Sequence, residues 1–300
     1  MQSPSTLPVW RSMLFVPATS DRFVESALRQ PADALQIDLE DSVAPEDKQL
    51  ARERLPGIAD RFRQAGYDVV VRVNRPWRHL VRDLEATVRA SVAAVTLTKV
   101  PDASHVRAVA EILDDCEAQA GLPLGHTRIV AMVEDAEGLA NMNDIARAHS
   151  RMCGLIIGAE DLAVSMRMAV DADGLYVPNV LAVAACRRAG IVPIGFVGSV
   201  ADFADAGEFR ARIRRARRLG FESAFCIHPR QVPIVNEEFA PQPDEVEHAE
   251  QLLEEFERQK RAGRAACTFK GRMVDLPVVL QARQLLERHR ALAARGTRGA

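Results

Sequence analysis

Short apolar runs alternate with longer amphipathic stretches through the first three-quarters of the chain. The runs have the length and residue types of strands, and several are apolar on both faces, as a sheet covered by helices requires. We predict eight strands, at Met13–Pro17, Ala34–Asp38, Val69–Val73, Ala94–Lys99, Ile129–Glu134, Gly154–Gly158, Val192–Phe196 and Ala224–His228. Repeated βα units are typical of a parallel sheet. The pattern therefore predicts an α/β fold, a (β/α)8 TIM barrel.

The amphipathic stretches between these runs have the apolar spacing of helices that cover a sheet. We predict helices at Asp21–Arg29, Pro45–Leu55, Ala103–Ala118, Leu139–Ala148, Val180–Ala189 and Phe209–Arg218.

The pattern changes after the eighth strand. Four prolines within 229–243 predict a loop, a charged helix follows from about Asp244 to Gly263, and a last helix ends near Arg290. We therefore predict a barrel domain over residues 1–235 and a C-terminal helical extension over residues 236–300.

Composition and charge narrow the function classes. The chain has 300 residues, 48% hydrophobic and 27% charged, which is an ordinary profile for a globular protein. Its net charge of -2 provides no field that would attract nucleic acid or an anionic membrane. No apolar run approaches the roughly 18 residues of a membrane span, and no signal peptide is recognisable at the N-terminus. We expect a cytoplasmic protein with no nucleic-acid or membrane partner.

The five cysteines are scattered and never spaced as C-x-x-C, so we predict neither a disulfide framework nor a zinc site. Cys226 and His228 lie two residues apart, about 7 Å along a strand, which is too far for a nucleophile–base hydrogen bond. We interpret the cysteines as buried apolar residues.

Two successive strand-like runs end in acidic groups. The segment R-I-V-A-M-V-E-D-A-E-G-L-A ends its run at Glu134, and G-L-I-I-G-A-E-D-L ends its run at Glu160 and Asp161. In a parallel barrel these carboxylates lie at the carboxyl-terminal rim, where such folds keep their active sites. Converging carboxylates repel one another unless a hard cation lies between them. The pattern predicts a Mg²⁺-dependent enzyme.

Other strands also end in ionisable groups. The second ends in Asp38-Leu39-Glu40-Asp41, the third carries Arg72, the fourth ends at Lys99 and the eighth at His228. Arg72 is either a structural ion-pair partner or a fork that holds a carboxylate or enolate oxygen. Lys99 could form a Schiff base, although the carboxylates already indicate a metal. His228 is either a general base or a cap.

Eight ordered motifs resemble the HpcH/HpaI aldolase and citrate lyase family, in particular its citrate lyase beta subunit and malyl-CoA lyase branch. The resemblance runs from about Arg11 to about Glu287. The motifs are R-S-M-L-F-V-P-A-T-S-D-R-F, A-D-A-L-Q-I-D-L-E-D-S-V-A-P-E-D-K, V-R-V-N, L-T-K-V, M-V-E-D-A-E-G, G-A-E-D-L, C-I-H-P-R-Q-V and G-R-M-V-D-L-P-V.

The resemblance implies a TIM barrel that binds Mg²⁺ and an acyl-CoA thioester. It implies that Glu134 and Asp161 are the metal ligands and that Arg72 stabilises an enolate or keto-acid oxygen. Asp275 matches an aspartate that relatives bring into the neighbouring subunit's site from the C-terminal extension. If Asp275 acts in this way, the protein is an oligomer, and we expect a homotrimer or homohexamer.

The acidic motif of the second strand supplies further catalytic candidates, Asp38 and Glu40, which the resemblance implies support Arg72 and the metal-bound water, as does the neighbouring Asp41. The remaining substrate-binding candidates are Pro17, Arg22 and Lys99.

Two departures from the family pattern bear on the substrate. Relatives carry V-P-G-S-R-P-R near the start, with basic residues that can meet CoA phosphates, whereas this chain has Ser20 and Asp21 in place of an arginine and a proline. Gly195 stands where many relatives have an aspartate, and extra residues precede Asp202.

Our leading hypothesis is a Mg²⁺-dependent carbon–carbon lyase that cleaves or forms a 3-hydroxy acyl-CoA such as malyl-CoA or citramalyl-CoA, with an α-keto acid as the other fragment. One alternative is a CoA-independent class II aldolase that releases pyruvate or glyoxylate. Another is a citrate lyase beta-type subunit that needs a carrier-protein partner.

Overall fold

The first part of the chain contains a sheet of parallel strands. A computed structural model describes residues 7–202, 204–261 and 267–296. Within these ranges eight parallel strands follow one another in the sheet in the order β7-β6-β5-β4-β3-β2-β1-β8. They are β1 (Ser12–Pro17), β2 (Ala34–Asp38), β3 (Asp68–Val73), β4 (Ala94–Leu97), β5 (Arg128–Val133), β6 (Met152–Ile157), β7 (Val192–Ile194) and β8 (Ala224–Cys226).

The sheet is nearly closed by contacts between β7 and the residues just before β8. Ile194 forms a parallel bridge with Ser223, and the amide of Gly195 donates to the carbonyl of Ser223 at 2.8 Å. Together with the alternating helices, this confirms the predicted (β/α)8 barrel. The strands β4, β7 and β8 each end two residues earlier than predicted, because the chain turns into the rim loops there.

Helices alternate with the strands. They are α1 (Asp21–Ala27), α2 (Lys48–Gln64, after a 3-10 turn at Pro45–Asp47), α3 (Trp77–Thr87), α4 (Ala103–Gln119), α5 (Ala136–Ala146), α6 (Ala159–Met166), α7 (Ala172–Ala189), α8 (Ala206–Leu219) and α9 (Gln231–Phe239).

Helices α3, α6 and α9 were not among the predicted ones. Helix α9 lies where prolines predicted a loop, and Pro233 is its third residue. The first amides of a helix have no partner within the helix, so a proline in the first turn removes no hydrogen bond. Helix α6 is only eight residues long and begins inside the acidic strand-end motif.

Aspartates fix the starts of the helices that follow the rim loops. Asp102 accepts a hydrogen bond from the amide of His105 at 2.9 Å, and Asp135 accepts one from the amide of Gly138 at 2.7 Å. Such N-caps satisfy amides that the helix itself leaves free. The first helical residues of α4 and α5 are thereby held in place close to the ends of β4 and β5.

Apolar side chains fill both sides of the barrel wall. One buried cluster lies among inward-facing strand positions, including Met13, Val70 and Val130. A larger cluster includes outward-facing strand residues such as Leu35 and helix residues such as Phe62. The rim residues described below therefore stand on closely packed strands.

A second compact unit begins at Ala240. It contains α10 (Pro243–Arg261), a hairpin of β9 (Cys267–Phe269) and β10 (Arg272–Val274), and α11 (Leu276–Gly296). The hairpin is an addition to the expected helices. Lys270 and Gly271 at its turn both have positive φ, the backbone form that favours two-residue hairpins. The end of the charged helix predicted to reach Gly263 lies outside the described residues.

Cys116, Cys153, Cys186 and Cys226 are free cysteines, and the last three are buried. The side chain of the fifth, Cys267, lies outside the described part of the structure. In the described ranges, no helix has the combination of length and apolar composition needed to cross a membrane.

Candidate active site

Arg72 and Asp38 form a two-point ion pair at the rim. They are register partners on β3 and β2, so their side chains emerge side by side. Arg72 Nε donates to Asp38 Oδ1 and Nη2 to Oδ2, both at 2.7 Å. Burial by itself raises the pKa of Asp38, but the hydrogen bonds and charge of Arg72 outweigh this, and the pKa lies below its usual value. Asp38 is therefore a permanently charged support for the guanidinium.

Arg72 also contacts the rest of the acidic loop. Its Nη1 lies 3.0 Å from Glu40 Oε2 and 3.5 Å from Asp41 Oδ2. The guanidinium carbon lies 4.6 Å from the centre of the Phe15 ring, which supports its plane from below. Arg72 is thus held by three carboxylates and one aromatic ring. It is an ion-pair partner, and this does not exclude a role in holding a substrate oxygen.

Glu134 follows β5 directly and is only 5% exposed. The backbone amide of Lys99 donates to its Oε2 at 2.6 Å, and this geometry depends on a left-handed φ of 49° at Lys99. Burial raises the pKa of Glu134 to about 7, despite the hydrogen bond from Lys99. A buried carboxylate with so little compensation favours a neighbouring cation.

The ammonium of Lys99 lies between two carboxylates, 3.6 Å from Glu40 Oε1 and 3.5 Å from Asp161 Oδ2. Burial alone lowers the pKa of Lys99, but the surrounding carboxylates, chiefly Glu40, outweigh it and raise the pKa. A Schiff-base lysine must lose its proton to attack. The environment of Lys99 therefore opposes the Schiff-base alternative.

Glu40 joins these two groups, because it contacts both Arg72 and Lys99. Burial raises the pKa of Glu40 to about 7, and repulsion from Asp41 adds to the effect while attraction by Arg72 opposes it. The rim therefore combines a charged fork with carboxylates that are short of positive charge.

The two acids of the G-A-E-D-L motif have different surroundings. Both lie in the first turn of α6. Glu160 accepts a hydrogen bond from the hydroxyl of Ser199 at 2.5 Å, whereas Asp161 faces Lys99. The sequence predicted no role for Ser199. The one indication in the sequence was that the loop after β7 differs from the family pattern. The two neighbouring acids therefore take part in different contacts.

A cavity of about 580 Å³ opens at this rim. Its apolar wall includes Phe15, Met132, Ile156 and Phe225. The predicted site residues that line it are Pro17, Arg22, Asp38, Arg72, Glu134 and Asp161. Glu40 and Lys99 do not line the cavity but contact residues that do.

His228 also lines this cavity. Its Nδ1 accepts a hydrogen bond from the amide of Arg230 at 3.1 Å, which favours the cap interpretation for that nitrogen. Cys226 is fully buried, and burial raises the pKa of its thiol. The structure therefore gives Cys226 no nucleophilic role.

The positions that depart from the family pattern have clear local surroundings. Asp21 pairs with Arg54 of α2, which neutralises the charge of its carboxylate. The next residue, Arg22, lines the cavity. Gly195 has φ of 129°, a backbone form that side chains rarely adopt. Asp275 lies in the second unit, between β10 and α11.

The donors at the rim are oxygen atoms, which suit Mg²⁺. In the parts of the chain that the structure describes, no three side chains of His, Cys, Asp or Glu converge to ligate a metal. Mg²⁺ commonly uses only one or two carboxylates and keeps water or substrate oxygens. The buried Glu134 together with Asp161 fits that requirement.

Comparisons with known proteins show which proteins this chain is similar to. The sequence pattern of the HpcH/HpaI aldolase/citrate lyase family matches residues 11–229. Citrate lyase subunit beta of Escherichia coli (strain K12) is 34% identical over 93% of this chain and 92% of its own. L-malyl-CoA/beta-methylmalyl-CoA lyase of Rhodobacter capsulatus is 31% identical, over 94% and 95%.

Two further comparisons bear on the chemistry. A (3S)-malyl-CoA thioesterase of Cereibacter sphaeroides is 33% identical, over 95% of this chain and 96% of its own. A crystal structure of protein CitE from Mycobacterium tuberculosis in complex with magnesium, acetoacetate and coenzyme A has a TM-score of 0.70 and 29% identity. It covers 93% of this chain and 97% of that one.

Proposed function

This chain belongs to the HpcH/HpaI aldolase/citrate lyase family, and on that premise we propose that it is a Mg²⁺-dependent carbon–carbon lyase. Its substrate is a 3-hydroxy acyl-CoA such as malyl-CoA or citramalyl-CoA, which it cleaves into an acyl-CoA and an α-keto acid. The observation that carries the proposal is that the fixed Arg72 guanidinium and the buried carboxylate of Glu134 line the same cavity.

Cleavage requires the substrate hydroxyl to lose its proton while the adjacent carbon–carbon bond breaks. The bonding electrons become an enolate of the thioester, which is then protonated to give the acyl-CoA. A guanidinium that is already fixed stabilises this negative oxygen without having to reorganise. Because Asp38 and Phe15 hold Arg72 in place, its orientation is set before the substrate binds.

Glu134 and Asp161 are the residues that would hold Mg²⁺. The fit rests on oxygen donors and on the raised pKa of Glu134, which burial causes and which a cation offsets. When bound, the metal supplies Lewis acidity toward keto-acid oxygens. The relative CitE was crystallised with magnesium. The ammonium of Lys99 lies between the carboxylates of Glu40 and Asp161 and reduces their mutual repulsion.

The first turn of α6 offers a place for a substrate carboxylate. The N-cap residue of this helix is Gly158, which has no side chain that could accept from the amides of the first turn. Gly158, Ala159 and Glu160 all line the cavity. Helix N-termini attract anions through these amides and the helix dipole.

The proton-transfer residue in this proposal is Asp275, delivered from a neighbouring subunit of a homotrimer or homohexamer. Asp275 is flanked by Met273 and Leu276, which are 71% and 59% exposed. Val164 lies one helical turn from Asp161 and is 79% exposed. These exposed apolar side chains lie beside residues of the proposed reaction, where a neighbouring subunit could cover them.

The decisive experiment offers malyl-CoA and citramalyl-CoA to the purified protein with Mg²⁺ and with a chelator. The lyase produces equal amounts of an acyl-CoA and an α-keto acid, and the chelator abolishes both. Release of free CoA with an intact hydroxy acid would instead identify a thioesterase like the Cereibacter relative. Cleavage that survives chelation would overturn the metal dependence.

A CoA-independent aldolase is the second candidate, favoured by Ser20, where relatives carry an arginine, and by Asp21, where they carry a proline and which here pairs with Arg54. Release of pyruvate or glyoxylate from a free hydroxy-keto acid, detected with lactate dehydrogenase, separates it from the lyase. Activity that appears only with an acyl carrier protein would indicate the citrate lyase beta-type alternative. A cytoplasmic location remains our expectation.

A further inference from the structure

Lys48 bonds to the backbone of the acidic loop. It is the first residue of α2. Its ammonium donates to the carbonyl of Leu39 at 2.8 Å and to that of Glu40 at 2.7 Å. The proposed mechanism gives Lys48 no role, although Lys48 is the last residue of the motif D-L-E-D-S-V-A-P-E-D-K.

The peptide between Leu39 and Glu40 is held on both sides. Its carbonyl oxygen accepts from Lys48 and also from Asn74 Nδ2, at 2.8 Å in each case. Its amide donates to Asp38 Oδ1 at 3.0 Å. The same Asp38 oxygen accepts from Arg72 Nε. The position of this peptide therefore determines where the Asp38 carboxylate, and with it the guanidinium, is held.

The second donor to this carbonyl is itself rigidly anchored. Asp83 is fully buried, and its Oδ2 accepts from the amide of Asn74 at 2.9 Å and from Asn74 Nδ2 at 2.7 Å. Arg52 Nε donates to Asp83 Oδ1 at 2.7 Å. Asn74 thus fixes the loop to β3, whereas Lys48 fixes it to helix α2.

The backbone before α2 brings Lys48 back over the loop. The amide of Val43 donates to the carbonyl of Glu40 at 3.0 Å, and the 3-10 turn Pro45–Asp47 leads directly into α2. The carbonyl of Glu40 therefore accepts from both Val43 and Lys48. Glu40 carries the carboxylate that contacts Arg72 and Lys99, so its backbone position matters to both.

We propose that Lys48 is a positioning residue, whose bonds to two loop carbonyls hold Asp38, Glu40 and Arg72 in the geometry that cleavage needs. The inference rests on the proposed function. A charge-assisted hydrogen bond is stronger than a neutral one, and a single ammonium can serve two carbonyls only if they converge on it. Without Lys48 the carbonyl of Leu39 keeps Asn74 and that of Glu40 keeps Val43, so the loop folds but is less fixed.

The test compares Lys48→Met, which has no donor, with Lys48→Arg, which keeps the charge, and with the control Arg61→Met. Arg61 lies on the same helix and forms an exposed pair with Glu25. The measurements are kcat and KM for the cleaved thioester, and amide hydrogen exchange of residues 39–43.

For Lys48→Met we expect kcat to fall by about 10–100-fold with a smaller change in KM, because a small misplacement of a reacting group costs about that much. The amides of Glu40 and Ser42 donate hydrogen bonds to the carboxylate of Asp38, and we expect their hydrogen exchange to become faster. Lys48→Arg recovers part of kcat, and Arg61→Met changes neither measurement.

A folded Lys48→Met that keeps kcat within about twofold of wild type overturns the inference, as does unchanged exchange of the loop. If Lys48→Met does not fold, the Lys48→Arg variant decides. A Lys48→Arg variant with the kcat and the loop exchange of wild type supports the role of the charged donor. A Lys48→Arg variant that is as stable as Arg61→Met but inactive opposes it. If the wild type cleaves no thioester, the proposed function is wrong, and the exchange comparison alone tests the Lys48 contacts.

Discussion

Arg72 donates two hydrogen bonds of 2.7 Å to the carboxylate of Asp38, its register partner on the neighbouring strand. This pairing uses two of the guanidinium's donors and leaves Nη1 toward Glu40 at 3.0 Å. Arg72 nevertheless lines the cavity. In the proposed function the ion pair with Asp38 and the fork that meets the substrate oxygen are one arrangement, because the pair sets the direction of the guanidinium.

Replacing Arg72 by lysine tests this arrangement. A lysine keeps the charge but cannot form the two-point bond. We expect kcat to fall by about 10²–10³-fold, the range measured when a fixed donor to a developing oxyanion is removed. Steady-state kinetics and a thermal melt measure the effect, with Arg61→Lys as control. A variant that keeps more than a tenth of wild-type kcat would argue against the role.

Gly158→Ala tests the position of Glu134. A Cβ at Gly158 would lie 2.5 Å from Glu134 Cγ and 2.6 Å from its Oε1, so the carboxylate must move. With Mn²⁺ as a paramagnetic substitute for Mg²⁺, we expect the affinity for the metal to fall by about tenfold or more, which is the usual effect of disturbing a group that orients a metal ligand. Paramagnetic resonance of Mn²⁺ measures the affinity.

Gly57→Ala is the matched control, since a Cβ there meets nothing within 4 Å. Gly57 lies inside α2, and alanine should stabilise the helix by about 0.5–1 kcal/mol without affecting Mn²⁺. Equal Mn²⁺ affinity in both variants would mean that Glu134 is not a ligand.

Mixing inactive variants tests whether Asp275 acts in a neighbouring subunit. Asp275→Ala and Arg72→Ala should each abolish turnover while leaving assembly intact. After subunits are exchanged in equal amounts, about one quarter of the sites combine a native Arg72 with a native Asp275 from another chain. We expect activity to return to about that fraction. A mixture that stays inactive after verified exchange would place Asp275 in its own subunit's site or outside the mechanism.

The Glu117–Arg151 pair should make stability depend on pH. Arg151 Nη1 and Nη2 donate to the two oxygens of the buried Glu117 at 2.7 and 2.6 Å. Burial by itself raises the pKa of Glu117, but the bonds from Arg151 outweigh it and lower the pKa below 4.5. The stabilisation is therefore fully present above the unfolded pKa and is lost as pH falls through the lower folded pKa.

Glu117→Gln should destabilise the protein at pH 7 by about 1.5–3 kcal/mol, because Arg151 loses a charged partner but keeps its ion pair with Asp114. In acid, where wild-type Glu117 is itself protonated, the difference should shrink. Urea unfolding at several pH values measures it, with Glu25→Gln in an exposed pair as control, expected within about 1 kcal/mol. A difference that does not change with pH would contradict the assignment.

The sequence alone determined the barrel and which acids lie at its rim. Strand-like apolar runs alternate with helical ones over a short range, and parallel strands place all their carboxyl ends on one side. Glu134 and Asp38 could therefore be assigned to one rim without coordinates. The resemblance then gave Arg72 and Asp275 their expected roles.

Only the tertiary structure decided the contacts among these residues. Ser199 bonds to Glu160 across 39 positions of sequence, and Asn74 meets the carbonyl of Leu39 across 35. Such contacts depend on strand register and on loop paths, which no local pattern records. For the same reason the ammonium of Lys99 could be placed between Glu40 and Asp161 only from the fold, since side-chain periodicity fixes the face of a strand but not the partner beyond it.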